Sequence, residues 1–306
     1  MKYKIISIIA ILSVVITISI NVDAQNHQQQ VHKQQMGRRI FSLEEIEAYK
    51  ADGVEFIPDI SYREDYEACK LDLAMPTDAG TGPRSAIVVI HGGGWSNFDK
   101  RKGIFIMTAL DFAARGYVCI SINYRLLSDS TTIATCVEDT KCAVRWLRAH
   151  AEEYNVDPMR IGAFGHSAGA HLAAMLGICP PAAGLEGDGP WQEYSSVVQS
   201  VVGSATPTEI PERFRSNTMT KEELWNISPI SHVCSNAPPF LLIHDVSDQT
   251  LPVEQADIFV TALKQAGAKE VWYFRFDNGS GHGVIRNINV IQPAMESFFM
   301  QTLKNN

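Results

Sequence analysis

Ala86-Ile87-Val88-Val89-Ile90 is an unbroken apolar run. A strand with one wet face alternates polar and apolar residues. A strand that is apolar at every position is covered on both faces, as in parallel sheets sandwiched between helices. Further apolar strands are expected at 117–123, 160–164, 197–202, 239–244 and 271–276, with an alternating strand at 70–74. Helical stretches are expected at 103–114, 134–154, from about 168, at 253–266 and at 285–303. A capping box, Ser42-Leu43-Glu44-Glu45, opens a short helix before them. In helix 134–154 the periodicity puts Val137, Val144, Trp146 and Leu147 inward and Arg145 and Arg148 outward. Repeated strand–helix–strand order implies a mainly parallel sheet with helices on both faces and right-handed crossovers. In such sheets chemistry collects beyond the C-terminal ends of the strands.

The ends of the chain bound the folded unit. Met1-Lys2-Tyr3-Lys4 is a basic head, residues 5–20 are uncharged and apolar, and Val22-Asp23-Ala24 carries small residues where a signal peptidase reads. This is the pattern of a secretory signal peptide cut after Ala24. It predicts a secreted or periplasmic protein without a stable membrane anchor. Residues 25–39 are Gln-rich and aperiodic, a disordered tether, which leaves 40–306 as one domain. Of the 306 residues 45% are hydrophobic and 20% charged, ordinary globular usage. The formal net charge of −8 argues against binding a phosphate backbone. It leaves the oligomeric state open. The six cysteines form no Cys-x-x-Cys metal pair. Cys119 reads as core, Cys136 and Cys142 cannot pair with each other, and a Cys179–Cys234 bridge is one permitted pairing.

Three strand ends carry reactive groups. Gly165-His166-Ser167-Ala168-Gly169 sits between a buried strand and a helix. A strand-to-helix turn this tight needs small neighbours on each side of the serine and pushes its hydroxyl above the sheet. The Ala168 N–H then lies at a helix start, where donors are unpaired and the dipole favours negative charge. His91-Gly92-Gly93-Gly94-Trp95 follows the 86–90 strand. Its glycines let the backbone approach a substrate and aim N–H groups at a developing oxyanion. The run lacks a Gly-Lys-Ser/Thr ending and a G-x-G-x-x-G pattern, which weakens a phosphate-cradle reading. His91 reads as a hydrogen-bonding support of this loop.

A nucleophilic serine needs a base and the base an orienting acid, in the chain order Ser, Asp/Glu, His with this elbow. Of the nine histidines, His282 is the best base, on the Gly-rich loop Asn278-Gly279-Ser280-Gly281-His282-Gly283 before the last helix. His166 and His171 are held too close to the serine helix to turn back on it. After the 239–244 strand, Asp248 is favoured as the acid over Asp245, whose alternative role is to brace the loop.

HGGGW, GHSAG, HDVSDQTLP and GSGHG together resemble the α/β-hydrolase family, in particular the secreted esterase/lipase branch of acetyl-xylan and feruloyl esterases. The resemblance covers about 65–303 and takes in LDLAMP, SINYR and AVRWLR. It implies an α/β-hydrolase fold with nucleophile Ser167, acid Asp248, base His282 and oxyanion donors Gly93, Gly94 and Ala168. Asp245 departs from the glycine often found there. The implied reaction is hydrolysis of a carboxylic ester through a serine acyl-enzyme, on acetyl or feruloyl esters of plant polysaccharide or similar small or oligosaccharide esters. No metal or cofactor is implied. An arylformamidase or amidase on the same scaffold, or a hydrolase-like binding protein without turnover, are the alternatives. Only about 25–30 residues lie between the tether and the first sheet strands, so a small cap or none is expected. Segment 204–236 then becomes the expected pocket wall, with Trp95, His166, Trp191 and Trp225 as lining candidates.

Overall fold

The apolar runs assemble edge to edge into one eight-stranded sheet. The computed structural model describes residues 39–78, 80–212 and 219–303. The expected signal peptide and nearly all of the expected tether lie outside these residues. The strands are β1 (Val54–Ser61), β2 (Lys70–Pro76), β3 (Arg84–Ile90), β4 (Val118–Ile122), β5 (Val156–His166), β6 (Ser200–Ser204), β7 (Phe240–Asp245) and β8 (Val271–Phe276). Their spatial order is β1-β2-β4-β3-β5-β6-β7-β8. β1 and β2 run antiparallel at one edge, and β4 through β8 are mutually parallel.

The helices are α1 (Leu43–Tyr49), α2 (Gly103–Ala113), α3 (Ile133–Ala149), α4 (Ala168–Ile178), α5 (Lys221–Asn226), α6 (Glu254–Gln265) and α7 (Ile288–Thr302). Successive side chains of β3 divide between two cores, as strand geometry requires. Ile87 and Val89 pack with Phe164, Leu241 and Ile243 beneath Phe105 and Phe112 of α2 and Phe298 and Phe299 of α7. Val88 and Ile90 pack on the other face with α3, α4 and α6 through Val137, Leu172 and Phe259. Both faces are covered, as the unbroken apolar runs demand.

Several sequence expectations need correction. The strand at Val54–Ser61 has no counterpart in the sequence reading. It contains Pro58, which is tolerated because β1 is an edge strand. Its pairing with β2 also shifts register between Ile57 and Ile60, where Asp59 takes φ +56°. The bulge breaks the alternation that would mark a strand. Helix α3 stops at Ala149 instead of 154, where the ring Nδ1 and the main-chain N–H of His150 both lie within bonding distance of the Trp146 carbonyl.

Arg145 and Arg148 are buried, not solvent-facing. The segment between α4 and β6 lies over that side of α3. Arg145 pairs with Glu186 at 2.7 Å. Arg148 donates to the carbonyls of Pro158, Ser195 and Val197. All six thiols are free, with Cys179 buried and Cys234 exposed, so the Cys179–Cys234 bridge is not formed. The described residues of segment 204–236 include α5, whose capping box pairs Thr220 with Glu223, and a 3-10 turn at Pro229–His232.

Candidate active site

Ser167 joins the end of β5 to the start of α4. Its φ of +56° is one that a side-chain-bearing residue rarely adopts. The turn is held by crowding on both sides. A Cβ on Gly165 would lie 2.2 Å from the backbone of Gly169, and one on Gly169 would lie 2.1 Å from the Ile90 carbonyl oxygen. The Ser167 N–H donates to the Ser204 carbonyl at 2.8 Å, so β6 fixes the height of the elbow.

His282 stands on a short 3-10 turn, Gly281–Arg286, after β8. Its Nε2 lies 3.0 Å from Ser167 Oγ, and its Nδ1 lies 2.7 Å from Asp248 Oδ2. The other oxygen of Asp248 accepts the N–H groups of Thr250 and Leu251 at 2.8 and 2.9 Å. The carboxylate is thus anchored by main chain and aimed at the imidazole. Asp245 does not point at the ring. One of its oxygens accepts from the N–H and Oγ of Ser247, the other from the N–H of Asn278 and the Oγ of Ser280. Burial works to raise its pKa, but these four donors outweigh it and hold the group well below the usual carboxylate range. Asp245 therefore ties the loop carrying Asp248 to the loop carrying His282.

The glycine loop after β3 faces the serine. A Cβ on Gly92 would sit 2.6 Å from the His166 carbonyl oxygen, so the two backbones touch. Gly93 takes φ +106°, and its carbonyl accepts from the Ser96 and Asn97 N–H groups. The N–H groups of Gly93 and Gly94 donate to no other described backbone group, and that of Ala168 begins a helix. The resemblance implies these three N–H groups as donors to a negative oxygen above Ser167. His91 stacks on Tyr124 with centroids 4.4 Å apart, and the Tyr124 hydroxyl donates to the His91 carbonyl at 3.0 Å. His171 bridges the Trp95 indole N–H and the Ile227 carbonyl, pinning α4 to the loop before β7.

Burial pushes the pKa values of His91 and His171 down to about 4 from the ordinary 6.5. Between those limits the unfolded chain binds the extra protons, so stability is complete above about pH 6.5 and drains as pH falls toward 4. The ceiling is about 3 kcal/mol per ring. Calorimetric melting temperatures are expected to fall steadily between pH 7 and pH 4.5. A flat profile across that window would contradict neutral burial of these rings.

The space above Ser167 is a cleft of about 640 Å³. His166, Ser167, His282 and Gly92 to Gly94 form its floor. Phe98, Ile104, Phe105, Met107, Ile285 and Ile288 make its walls apolar, and Lys102 and Arg286 bring two positive charges. Of the expected lining residues, only His166 is there. Trp95 is buried behind the glycine loop, Trp191 packs edge-on against His150 at 5.0 Å, and Trp225 is half exposed on α5, over a separate surface hollow. No described residue of 204–236 lines the cleft. Its walls come instead from the residues that follow the HGGGW and GSGHG loops, and sequence position beside those loops is the signal that could have found them. Among the described residues no group of three or more His, Cys, Asp or Glu is placed to hold a metal ion.

Comparison with known proteins finds esterases. The family described as BD-FAE matches residues 71–263. Esterase LipC of Mycobacterium tuberculosis is 30% identical over 240 residues, covering 70% of this chain and 56% of that protein. The chain spans about half the length of curated relatives that it matches. The apo form of Thermogutta terrifontis esterase 2 superposes with a TM-score of 0.69 at 30% identity, covering 83% of this chain and 97% of that one. The same esterase is also known phosphorylated by paraoxon. A truncated carbohydrate esterase from gut microbiota shares the fold at a TM-score of 0.71 and 24% identity, over 83% of this chain and 99% of that one. These neighbours place the sheet and its helices in the α/β-hydrolase fold.

Proposed function

The chain belongs to the BD-FAE family, and from that premise we propose that it hydrolyses carboxylic esters through a covalent serine ester. The observation that carries the reading is the hydrogen-bonded chain Asp248–His282–Ser167, at 2.7 and 3.0 Å. His282 Nε2 takes the hydroxyl proton as Ser167 Oγ bonds to the ester carbon. The carbonyl oxygen becomes an oxyanion facing the N–H groups of Gly93, Gly94 and Ala168. Collapse breaks the bond to the alcohol, which leaves with the proton held by His282. Water, deprotonated by the same ring, then attacks the acyl-enzyme and releases the acid, restoring Ser167. Asp248 holds the ring with Nδ1 protonated and stabilises the imidazolium formed in each half-reaction.

The substrates proposed are acetyl or feruloyl esters of plant polysaccharide, or small esters like them. The resemblance of HGGGW and GHSAG to the acetyl-xylan and feruloyl esterase branch supports this class, as does a cleft open enough for an aromatic acyl group. Paraoxon is expected to transfer one diethylphosphoryl group to Ser167 and abolish hydrolysis of 4-nitrophenyl acetate. Intact mass and peptide mapping read the adduct. An unmodified, inert protein would support a binding role instead. Acetylated xylan, methyl ferulate and N-formylkynurenine then rank the polysaccharide, aromatic and amide alternatives.

A further inference from the structure

β7 ends in two polar residues, His244-Asp245. Alternation puts His244 on the same face of the strand as Phe240 and Leu242, toward the core that Phe259 of α6 covers. The ring is fully buried, so both of its nitrogens give up their hydrogen bonds to water. Only one of them finds a replacement. Nε2 lies 3.0 Å from the Leu251 carbonyl oxygen, while Nδ1 has no hydrogen-bond partner among the described residues. A carbonyl only accepts, so the ring proton belongs on Nε2. Burial lowers the pKa of the ring, which favours this neutral form.

That one bond goes to the residue that anchors the acid. The Leu251 N–H donates to Asp248 Oδ1 at 2.9 Å, and the Leu251 carbonyl accepts from His244. The same Nε2 also stands 3.4 Å from Asp248 Oδ2. This is longer than a direct bond, but the positive N–H edge still favours negative charge on that oxygen. Oδ2 is the atom that meets His282 Nδ1 at 2.7 Å. Asp248 thus lies between two imidazoles, one on the turn after β8 and one in the sheet itself. The sheet is the stiffer support, because a loop moves more readily than the strand it leaves.

We propose that His244 is a positioning residue for the acid of the triad: its Nε2–H holds the Leu251 carbonyl and faces Asp248 Oδ2, so that the carboxylate keeps its aim on His282. The proposal rests on the ester-hydrolase reading above, with Asp248 as the acid. A ring that only filled the core would act through stability, whatever stood at position 248.

Two variants and one spectrum test this. His244→Phe keeps a flat ring and removes both nitrogens, whereas His244→Gln puts an amide N–H close to the place of Nε2. On 4-nitrophenyl acetate, His244→Phe should lose about a hundredfold in kcat with KM within about threefold of wild type. His244→Gln restores a donor to Leu251 and should recover kcat to within about fivefold of wild type. In the Asp248→Asn background there is no carboxylate left to aim, and His244→Phe should cost no more than about twofold further. Histidine nitrogen NMR of the wild type near neutral pH should show His244 protonated at Nε2 alone, a reading that needs no variant to fold.

A proton on Nδ1, or on both nitrogens, overturns the proposal. So does a folded His244→Phe with kcat within about threefold of wild type, a His244→Gln no faster than His244→Phe, or an equal loss with aspartate and with asparagine at 248. Each of these leaves the esterase reading standing. An Asp248→Asn protein as fast as wild type removes the acid, and this proposal with it. A folded wild type inert toward the ester overturns the esterase reading itself.

Discussion

Replacing Ser167 or His282 with alanine is expected to lower kcat on 4-nitrophenyl acetate about a million-fold, equivalent to about 8 kcal/mol of transition-state stabilisation. The size follows from how the two side chains work. A serine hydroxyl at neutral pH is almost wholly protonated, and in the proposed mechanism the ring at 3.0 Å takes its proton as the new bond forms. Without the ring the oxygen attacks as a poor nucleophile, and without the oxygen the ring has nothing to activate. The two losses therefore overlap. Ser167→Ala/His282→Ala should be no slower than either single variant by more than about tenfold. The amides of Gly93, Gly94 and Ala168 remain in all three variants and keep a residual rate above that in water. Additive losses, or a His282→Ala protein retaining a tenth of wild-type kcat with an unchanged melting temperature, would remove this pair from the mechanism.

Much of this arrangement is legible in the sequence because the fold forces chemistry to follow strand ends. An all-apolar strand such as 86–90 announces burial on both faces. Gly165 and Gly169 announce a turn in which a methyl group would meet backbone at about 2.2 Å or less. The boundaries of α2, β7 and β8 follow from the same local patterns. Local pattern fails where the deciding contact is distant. Arg145 and Arg148 fall on the polar side of an amphipathic helix, yet Glu186 and the carbonyls of Ser195 and Val197 cover them. No periodicity within α3 encodes a loop folding over it more than thirty residues later.

The tryptophans mislead for a related reason. An indole is a plausible pocket wall wherever it occurs, but its place depends on which way the chain turns. Trp95 follows the glycine loop at φ +57° and turns inward to His171. The cleft is left to smaller residues at 98–107 and 283–288. These are adjacent in sequence to the two loops, but their direction is set by packing of α2 and of the 3-10 turn against the sheet. The edge strand β1 is hidden by its own bulge.

The choice between Asp248 and Asp245 yields a prediction of nearly the same size as the first. In Asp248→Asn the amide can be placed in only one way. The Thr250 and Leu251 N–H groups require an acceptor where Oδ1 now sits, so the amide oxygen must stay there. The NH2 group is then turned toward His282 Nδ1, at the position now 2.7 Å away. Facing a donor, Nδ1 must become the acceptor, and the ring proton moves to Nε2. That nitrogen now donates to Ser167 and cannot take its proton, and a fall in kcat of about ten-thousand-fold is expected with the fold intact. Asp245→Asn fails differently. Of the groups facing Asp245, the Ser247 and Ser280 hydroxyls can rotate to accept from an amide, but the Ser247 and Asn278 N–H groups cannot. The expected cost is about 1–3 kcal/mol of stability from a weakened tie between the two loops. Its kcat should stay within about tenfold of wild type, because the contacts of Asp248 with the ring are untouched. Urea unfolding and steady-state kinetics on both variants decide the assignment. If Asp245→Asn shows the ten-thousand-fold loss and Asp248→Asn does not, the carboxylate that sets the tautomer has been misassigned.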